Sequence, residues 1–499
     1  MRWFDNVIGF LSPETAYKRN AYRLALKEQR EYERMMANYD GASHSRINSN
    51  WFASNEPAEW TDRGERDVLR ARARDLERNS DIMNSVIGAY KRNVYGAGYR
   101  LRSLTGDETL NTEIERYWEK WCKKENCDVS GTQSFNSMMR MALTRKKIDG
   151  GILILKCYTS DGLVPFKLQL IEVDDLDDMV QTHNGNKVVG GIEYNKYNKP
   201  IGFHLRQYGI DGYTVLDRRY VDAKDVIYYF TKKRPTQIRE VSDMAPTLTR
   251  VRDINEFIHT ISVKERILAC LSVFVQREIP QTAGRTYPGD GPREYQGKTL
   301  TPGMIQYLSP GDKAYTVQPT GQAADAAHHI QQQLRFLGAG QGLSYETTSR
   351  DMSQSTYSSA RQGSIEDDLT YEEERQQLEE VMDEIYETFV ISLWLSKKIN
   401  NYDFWKEKDR YLSHSWIHAP KRWIDPQKEA NANAIALKTG QKTWADMAAE
   451  NGKDWREQID EIKAILDYGE SRGINLKQVV LGENVSSKDE GGKDEKETE

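Results

Sequence analysis

No excess of positive charge is present: 70 Lys and Arg stand against 76 Asp and Glu, a formal charge of −6 at pH 7. Static gripping of nucleic acid needs a clustered basic surface that neutralises many phosphates, so the balance argues against that mode. Cysteine is scarce as well. The four thiols, Cys122, Cys127, Cys157 and Cys270, include no Cys-x-x-Cys pair and no His at ligand spacing. Neither a zinc site nor a disulfide framework is suggested, and a reducing compartment fits best. Long apolar runs are missing too: the longest, 267–275, is about half of the ~20 residues that a bilayer helix needs. The apolar patch before Pro13 is too brief for a secretory signal. No membrane partner is expected.

Catalytic signatures are equally wanting. No Gly-x-Ser-x-Gly elbow, His-Glu-x-x-His or Cys with a recognisable His setting occurs. GDGPREYQGKT (289–299) imitates a phosphate loop, but Pro292 occupies the position that needs Gly, and Lys298-Thr299 lead into Leu-Thr-Pro rather than a helix. The acids of EVDDLDD (172–178) would alternate sides if extended, so a strand-end turn is favoured over paired metal ions. His328 and His329 would point about 100° apart on a helix, which makes a shared metal improbable. The 443–462 stretch has a helix-turn-helix pattern, yet Asp454, Glu457, Asp460 and Glu461 on its second helix would repel phosphates, so a packing hairpin is expected. These readings predict no catalytic residue, no metal and no cofactor. The competing class is a DNA-processing enzyme, a nuclease or NTPase, which lacks a visible site.

What is present is length, charge and helical periodicity. The 499 residues allow two to three domains, and 29% charged against 38% apolar residues leaves many helix faces wet. Helices are expected over 16–39, over 60–95 with a break at Asn79-Ser80-Asp81, near 111–124 and 134–147, over 245–275, 323–337 and 358–398, and as short pieces within 426–474. The arginines Arg63, Arg66, Arg70, Arg72, Arg74 and Arg78 alternate with acids at helical spacing, which favours a solvated face tied by local ion pairs over a phosphate-binding face. Between 151 and 230, β-branched and aromatic runs separated by Gly, Asn, Pro and Asp predict an antiparallel β module of hairpins. The fold class is α+β.

Several segments then occur in one order. LRARARDLERNSDIMNSVIGAYKRNVYGAG (69–98) is an arginine-rich helical stretch ending in Gly-x-Gly; LQLIEVDDL and GGIEYNKYNKPIGFHL are sheet segments; DVIYYFTKKRPTQIREVSDMAPTL joins sheet to helix. LTPGMIQYLSPGD (300–312), LSYETTSRDMSQSTYSSAR (343–361) and DPQKEANANAIALKTGQKTWADMAAENGKDW (425–455) follow. In this order, from about residue 20 to 470, the chain resembles the portal proteins of lambda-like tailed bacteriophages. Thr236 and Glu240 stand where that family usually has Gly, and Thr356 where Asn is usual, so the 234–240 turn must differ locally.

The resemblance implies a portal fold with a helical wing and antiparallel β module, two stem helices flanking a clip, a long channel helix and a helical C-terminal crown. Its segments would be an arm (1–58), wing (59–242), first stem helix (243–275), clip (276–322), second stem helix (323–340), channel loop (341–361), long helix with wing return (362–424), crown (425–478) and an acidic disordered tail (479–499). It also implies a ring of about twelve copies at the unique capsid vertex. Expected partners are double-stranded DNA passing without sequence specificity, the large terminase subunit, the major capsid and scaffold proteins, and a head-tail connector; assembly would occur in the host bacterial cytoplasm. Candidates for DNA contact are Arg250, Arg252, Lys264, Arg266, Arg350, Tyr357 and Arg361, and candidates for the clip and motor interface are Arg277, Arg285, Arg293 and Lys298.

Overall fold

The computed structural model describes residues 13–36, 50, 52–209, 211–212, 214–269, 274–275, 306–307, 323–399, 404–419, 425–474 and 476. Residues 1–61 and 62–499 form separate compact units. The first contains helix α1 (Pro13–Met36), which begins at a proline whose missing N–H costs nothing in a first turn.

The second unit opens with α2 (Arg66–Asn79) and α3 (Asp81–Tyr90), divided where the sequence predicted. Ser80 is extended, and its hydroxyl accepts the Met83 N–H at 3.2 Å, ending one helix and capping the next. One turn of π-helix, Lys91–Tyr95, then carries the chain to Gly96 and Gly98, both at positive φ. A Cβ on Gly98 would lie 2.8 Å from Asn136 Oδ1, so the turn tolerates only glycine. Helices α4 (Glu108–Trp121) and α5 (Phe135–Asp149) follow, capped by Asp107 and Ser134.

The strands do not form one meander. β1 (Arg100–Ser103) pairs antiparallel with a distant strand near the C-terminus. β2 (Gly151–Cys157), β3 (Lys167–Ile171) and β9 (Val226–Phe230) make a three-stranded sheet in the order β3-β2-β9. Between β3 and β9, strands β4 (Thr182–His183), β5 (Asn186–Val189), β6 (Ile192–Tyr194), β7 (Pro200–Tyr208) and β8 (Val215–Asp222) form a separate antiparallel meander. β2 serves both sides by its two-residue alternation: Ile152 and Ile154 enter the main core, whereas Leu153 and Leu155 enter a smaller core with Ile192, Phe203 and Leu205.

Helix α6 (Leu248–Ala269) has 22 residues, about 33 Å by the helical rise. The expected helix reaching residue 275 is therefore too long, because Phe274–Val275 is a strand, β10, pairing in parallel with β11 (Gln306–Tyr307). Helix α7 (Ala323–Gln341) is longer than expected. Its Gly338 and Gly340 admit close neighbours instead of ending it: Cβ atoms there would lie 2.5 Å from Leu343 O and 2.9 Å from Thr247. α6 and α7 pack antiparallel, with Arg250 against Gln333 and Phe336, and Phe257 against His329.

After the short α8 (Tyr345–Ser349), α9 (Tyr357–Leu395) runs for 39 residues from a Thr356/Ser359 capping box. Its second half is the spine of the core: Leu378, Met382, Ile385, Phe389 and Leu393 recur at three- to four-residue spacing and are fully buried. Trp118 and Trp121 pack on both Phe389 and Phe135, and the Trp121 indole donates to the Phe166 carbonyl at 2.9 Å. β12 (His414–Ile417), the partner of β1, precedes α10 (Pro426–Lys438), α11 (Trp444–Glu450) and α12 (Trp455–Ser471). Among the described residues, no helix is long and apolar enough to cross a membrane.

Candidate functional site

The inner arginines of helix α2 form neither a phosphate-binding face nor a solvated one. Arg66 and Arg70 are only 5% and 4% exposed. Arg70 reaches Glu240 at 2.9 Å, Asp174 at 3.0 Å and Asp67 at 2.5 Å; Arg74 reaches Asp149 at 2.7 Å, Asp174 at 2.6 Å and Glu172 at 3.1 Å. Arg78, with Asp75 at 3.9 Å, is the one that keeps the expected local surface pairing. The reason is tertiary. A carboxylate buried with a guanidinium must be answered by it, and carboxylates on three other segments converge on this helix.

Glu240 is the centre of that cluster and is fully buried. Arg239 meets both of its oxygens at 2.8 and 2.9 Å, the Tyr228 hydroxyl donates to it, and Arg66 donates to its backbone carbonyl at 3.1 Å. Burial alone would raise its pKa, but Arg239 and Tyr228 outweigh that and hold the carboxyl below the usual range. The departure from glycine at 240 is thus the keystone of a charged lock between α2, β9 and the 234–243 turn. A second lock joins α5 to α9, where Lys146 and Lys147 meet Glu374 at 2.6 and 2.5 Å and Asp243 at 3.1 and 3.4 Å.

The acids of 172–178 are held in a turn, as expected, with Val173–Asp175 a single 3₁₀ turn. Glu172 and Asp174 are taken by Arg74, and Asp177 by Arg218 at 3.1 Å. Burial and the neighbouring Glu172 and Asp174 push Asp175 up to about 6. The 443–462 pattern is a packing hairpin: Arg456 meets Glu108 at 2.6 Å, Glu457 meets Arg100 at 2.5 Å, and Asp454 meets Arg102 at 2.8 Å. These charges belong to the body, not to a groove.

The candidates for DNA contact separate into three places. Arg250 lies between the paired helices, donating to Gln333 at 2.5 Å with its guanidinium over Phe336. Arg252, Lys264 and Arg266 lie further along α6; Arg252 pairs with Asp253 and Glu256, and Arg266 donates to the Ser262 carbonyl of its own helix. At the start of α9, Arg361 reaches the Tyr357 hydroxyl at 3.4 Å and Glu429 at 3.8 Å, while Lys428 lies over the Tyr357 ring. Arg350 stands apart. It caps α8 in the left-handed conformation, φ 59°, is exposed, and has no carboxylate partner among the described residues. Burial and the nearby Arg350 lower the pKa of Arg92, which also lacks such a partner among them. Arg92 was not singled out from the sequence. It falls in the π turn, which no sequence signal announced. Arg277, Arg285, Arg293 and Lys298, like 289–299 and the acidic tail, lie outside the described residues.

A family model for phage portal proteins of the lambda family matches residues 44–375. The chain belongs to that family. The probable portal protein of Halomonas phage phiHAP-1 is 23% identical over 431 residues, covering 83% of each chain. Portal protein B of Escherichia phage lambda is 20% identical over 453 residues, covering 82% of this chain and 84% of its own. A chain from the virion of a native gene transfer agent particle aligns with TM-score 0.42 and 11% identity, over 79% of this chain and 94% of that one. As a portal protein the chain is a structural component of the virion and not an enzyme.

Proposed function

We propose that about twelve copies of this chain form a closed ring at the unique capsid vertex, through which double-stranded DNA enters during packaging and leaves on ejection. Family membership across 44–375 carries the reading, because that match includes both α6 and α7 and everything between them. In this reading α6 and α7 are the stem, 276–322 the clip, 341–361 the channel loop, 1–58 an arm, 59–242 the wing, and α10 to α12 the crown. The clip docks the large terminase subunit during filling and the head-tail connector afterwards, while the wing meets capsid and scaffold proteins in the host cytoplasm.

Two features support it. Large apolar side chains stay in water on one copy, with Phe336 on α7 59% exposed and Ile365 and Leu369 on α9 48% and 62% exposed, as expected of surfaces that neighbours cover. The chain is also acidic overall, with 76 Asp and Glu against 70 Lys and Arg. An electronegative wall with isolated cations such as Arg350 lets a duplex slide, because each added phosphate contact raises affinity. Negative-stain electron microscopy of the pure protein should find rings with a central hole of roughly 20 Å or more, the width of a duplex. A compact monomer at high concentration would end the proposal.

A further inference from the structure

In the five-stranded meander, His183 on β4, Glu193 on β6 and His204 on β7 direct one ligand atom each to a common point, all within 4.8 Å of one another. Glu193 is 1% exposed and His204 8%, whereas the His183 side chain is 35% exposed and opens the group to solvent. Glu193 Oε2 lies 2.8 Å from His183 Nδ1 and 3.3 Å from His204 Nε2. Its other oxygen accepts from the Asn186 amide at 2.7 Å, which fixes the plane of the carboxylate. The Tyr220 ring closes one side, stacked on His183 with centroids 5.1 Å apart and against His204 at 5.3 Å. Gly202, opposite Glu193 in the ladder, makes room for that ring: a Cβ there would lie 2.3 Å from it.

A buried carboxylate needs a compensating charge. Glu240 and Glu374 find theirs in Arg239 and Lys146, but Glu193 has no Arg or Lys ion pair among the described residues, and its partners are two imidazoles and an amide. Two His and one carboxylate form a common ligand set for a divalent transition metal, with ligand atoms about 2.0–2.2 Å from zinc and hence about 3.4 Å from each other. The present spacings bracket that value. We infer that His183, Glu193 and His204 bind a divalent transition metal of the zinc class, which ties β4, β6 and β7 together and leaves one position for water. Asn186 serves as a positioning residue through Glu193.

The test uses the full chain without a histidine tag, stripped with chelator, reloaded with zinc chloride and passed through gel filtration. About one zinc per chain is expected to remain, with a higher melting temperature than the stripped protein. Glu193→Gln, which keeps the shape and the amide contact but removes the anion, should lose the metal, as should His204→Ala. Asn186→Ala should weaken binding about tenfold. Should His204→Ala fail to fold, cobalt(II) loaded into the unaltered chain decides: visible bands of a four- or five-coordinate nitrogen–oxygen site support the inference. Metal retained equally by Glu193→Gln, no metal retained at micromolar zinc, or a strong thiolate band pointing to cysteine would each overturn it.

Discussion

Helices α2 and α6 are written alike, each with arginines interleaved among acids at helical spacing, yet their charges do opposite things. In α2, Arg66 and Arg70 are buried and Arg74 is bound to three carboxylates from beyond its own helix, Asp149, Glu172 and Asp174. In α6, Arg252 is 62% exposed at its side chain and, among the described residues, pairs only with Asp253 and Glu256 of the same helix. The comparison teaches that the number of arginines on a helix does not identify a DNA-facing surface. What identifies it is whether carboxylates elsewhere in the chain have already claimed them.

The sharpest way to break that comparison is Glu240→Ala. It would leave Arg239 without a carboxylate partner among the described residues and take one of three from Arg70, in a site closed to water, and unfolding free energy measured in urea should fall by about 3–5 kcal/mol. A loss below about 1 kcal/mol would mean that the lock is as weak as a surface pair. Acid provides a graded version. Glu240 and Asp243 both sit in burial that would raise them, yet Arg239 and the pair Lys147 and Lys146, respectively, hold them below their ordinary values. A depressed carboxyl contributes stability that is fully present above its unfolded pKa near 4 and is lost as pH falls through the folded value. The urea midpoint should therefore rise modestly from pH 7 to about 5, as the raised Asp175 takes up its proton, and drop below about pH 4, and Glu240→Gln should reduce the drop.

Smaller effects sharpen the contrast. Ser80→Ala removes the N-cap hydroxyl of α3 and should cost about 1 kcal/mol by thermal melting, since the Met83 N–H loses its acceptor. Arg252→Ala should change stability by no more than about 0.5 kcal/mol while leaving rings visible by electron microscopy. A large destabilisation from Arg252→Ala would show that α6, too, uses its charges to hold the body together.

Much of the architecture was legible because local rules wrote it. Ser80 as a cap, Gly96 and Gly98 as a stop, the start of the 39-residue helix near residue 358 and the acidic faces of the 443–462 hairpin are decided within a few residues of themselves. The end of α6 was not legible, since residues 267–275 suit a buried helix as well as a strand, and the pairing of β10 with Gln306–Tyr307 decides between them. The glycines of α7 misled for a related reason: glycine marks an end when the chain must turn, and a close approach when another segment must pass, and only the neighbour distinguishes the two. For the channel candidates, residue type was readable and partner was not. Arg361 turned out to sit with Tyr357 and Glu429, Arg250 with Gln333, and Arg350 with Arg92.

By itself, then, the sequence determined the order of helices and strands, their caps, the absence of a catalytic signature and the kinship with phage portals, all of which are carried by spacing, turn chemistry and segment order. Only the tertiary structure decided that β9 leaves the meander to join β2, that Glu240 gathers three arginines, and that His183, Glu193 and His204 meet. Each of these joins residues that local pattern leaves uncommitted. Their free energy comes from burying charge and apolar surface together, and that exists only once the layers have closed.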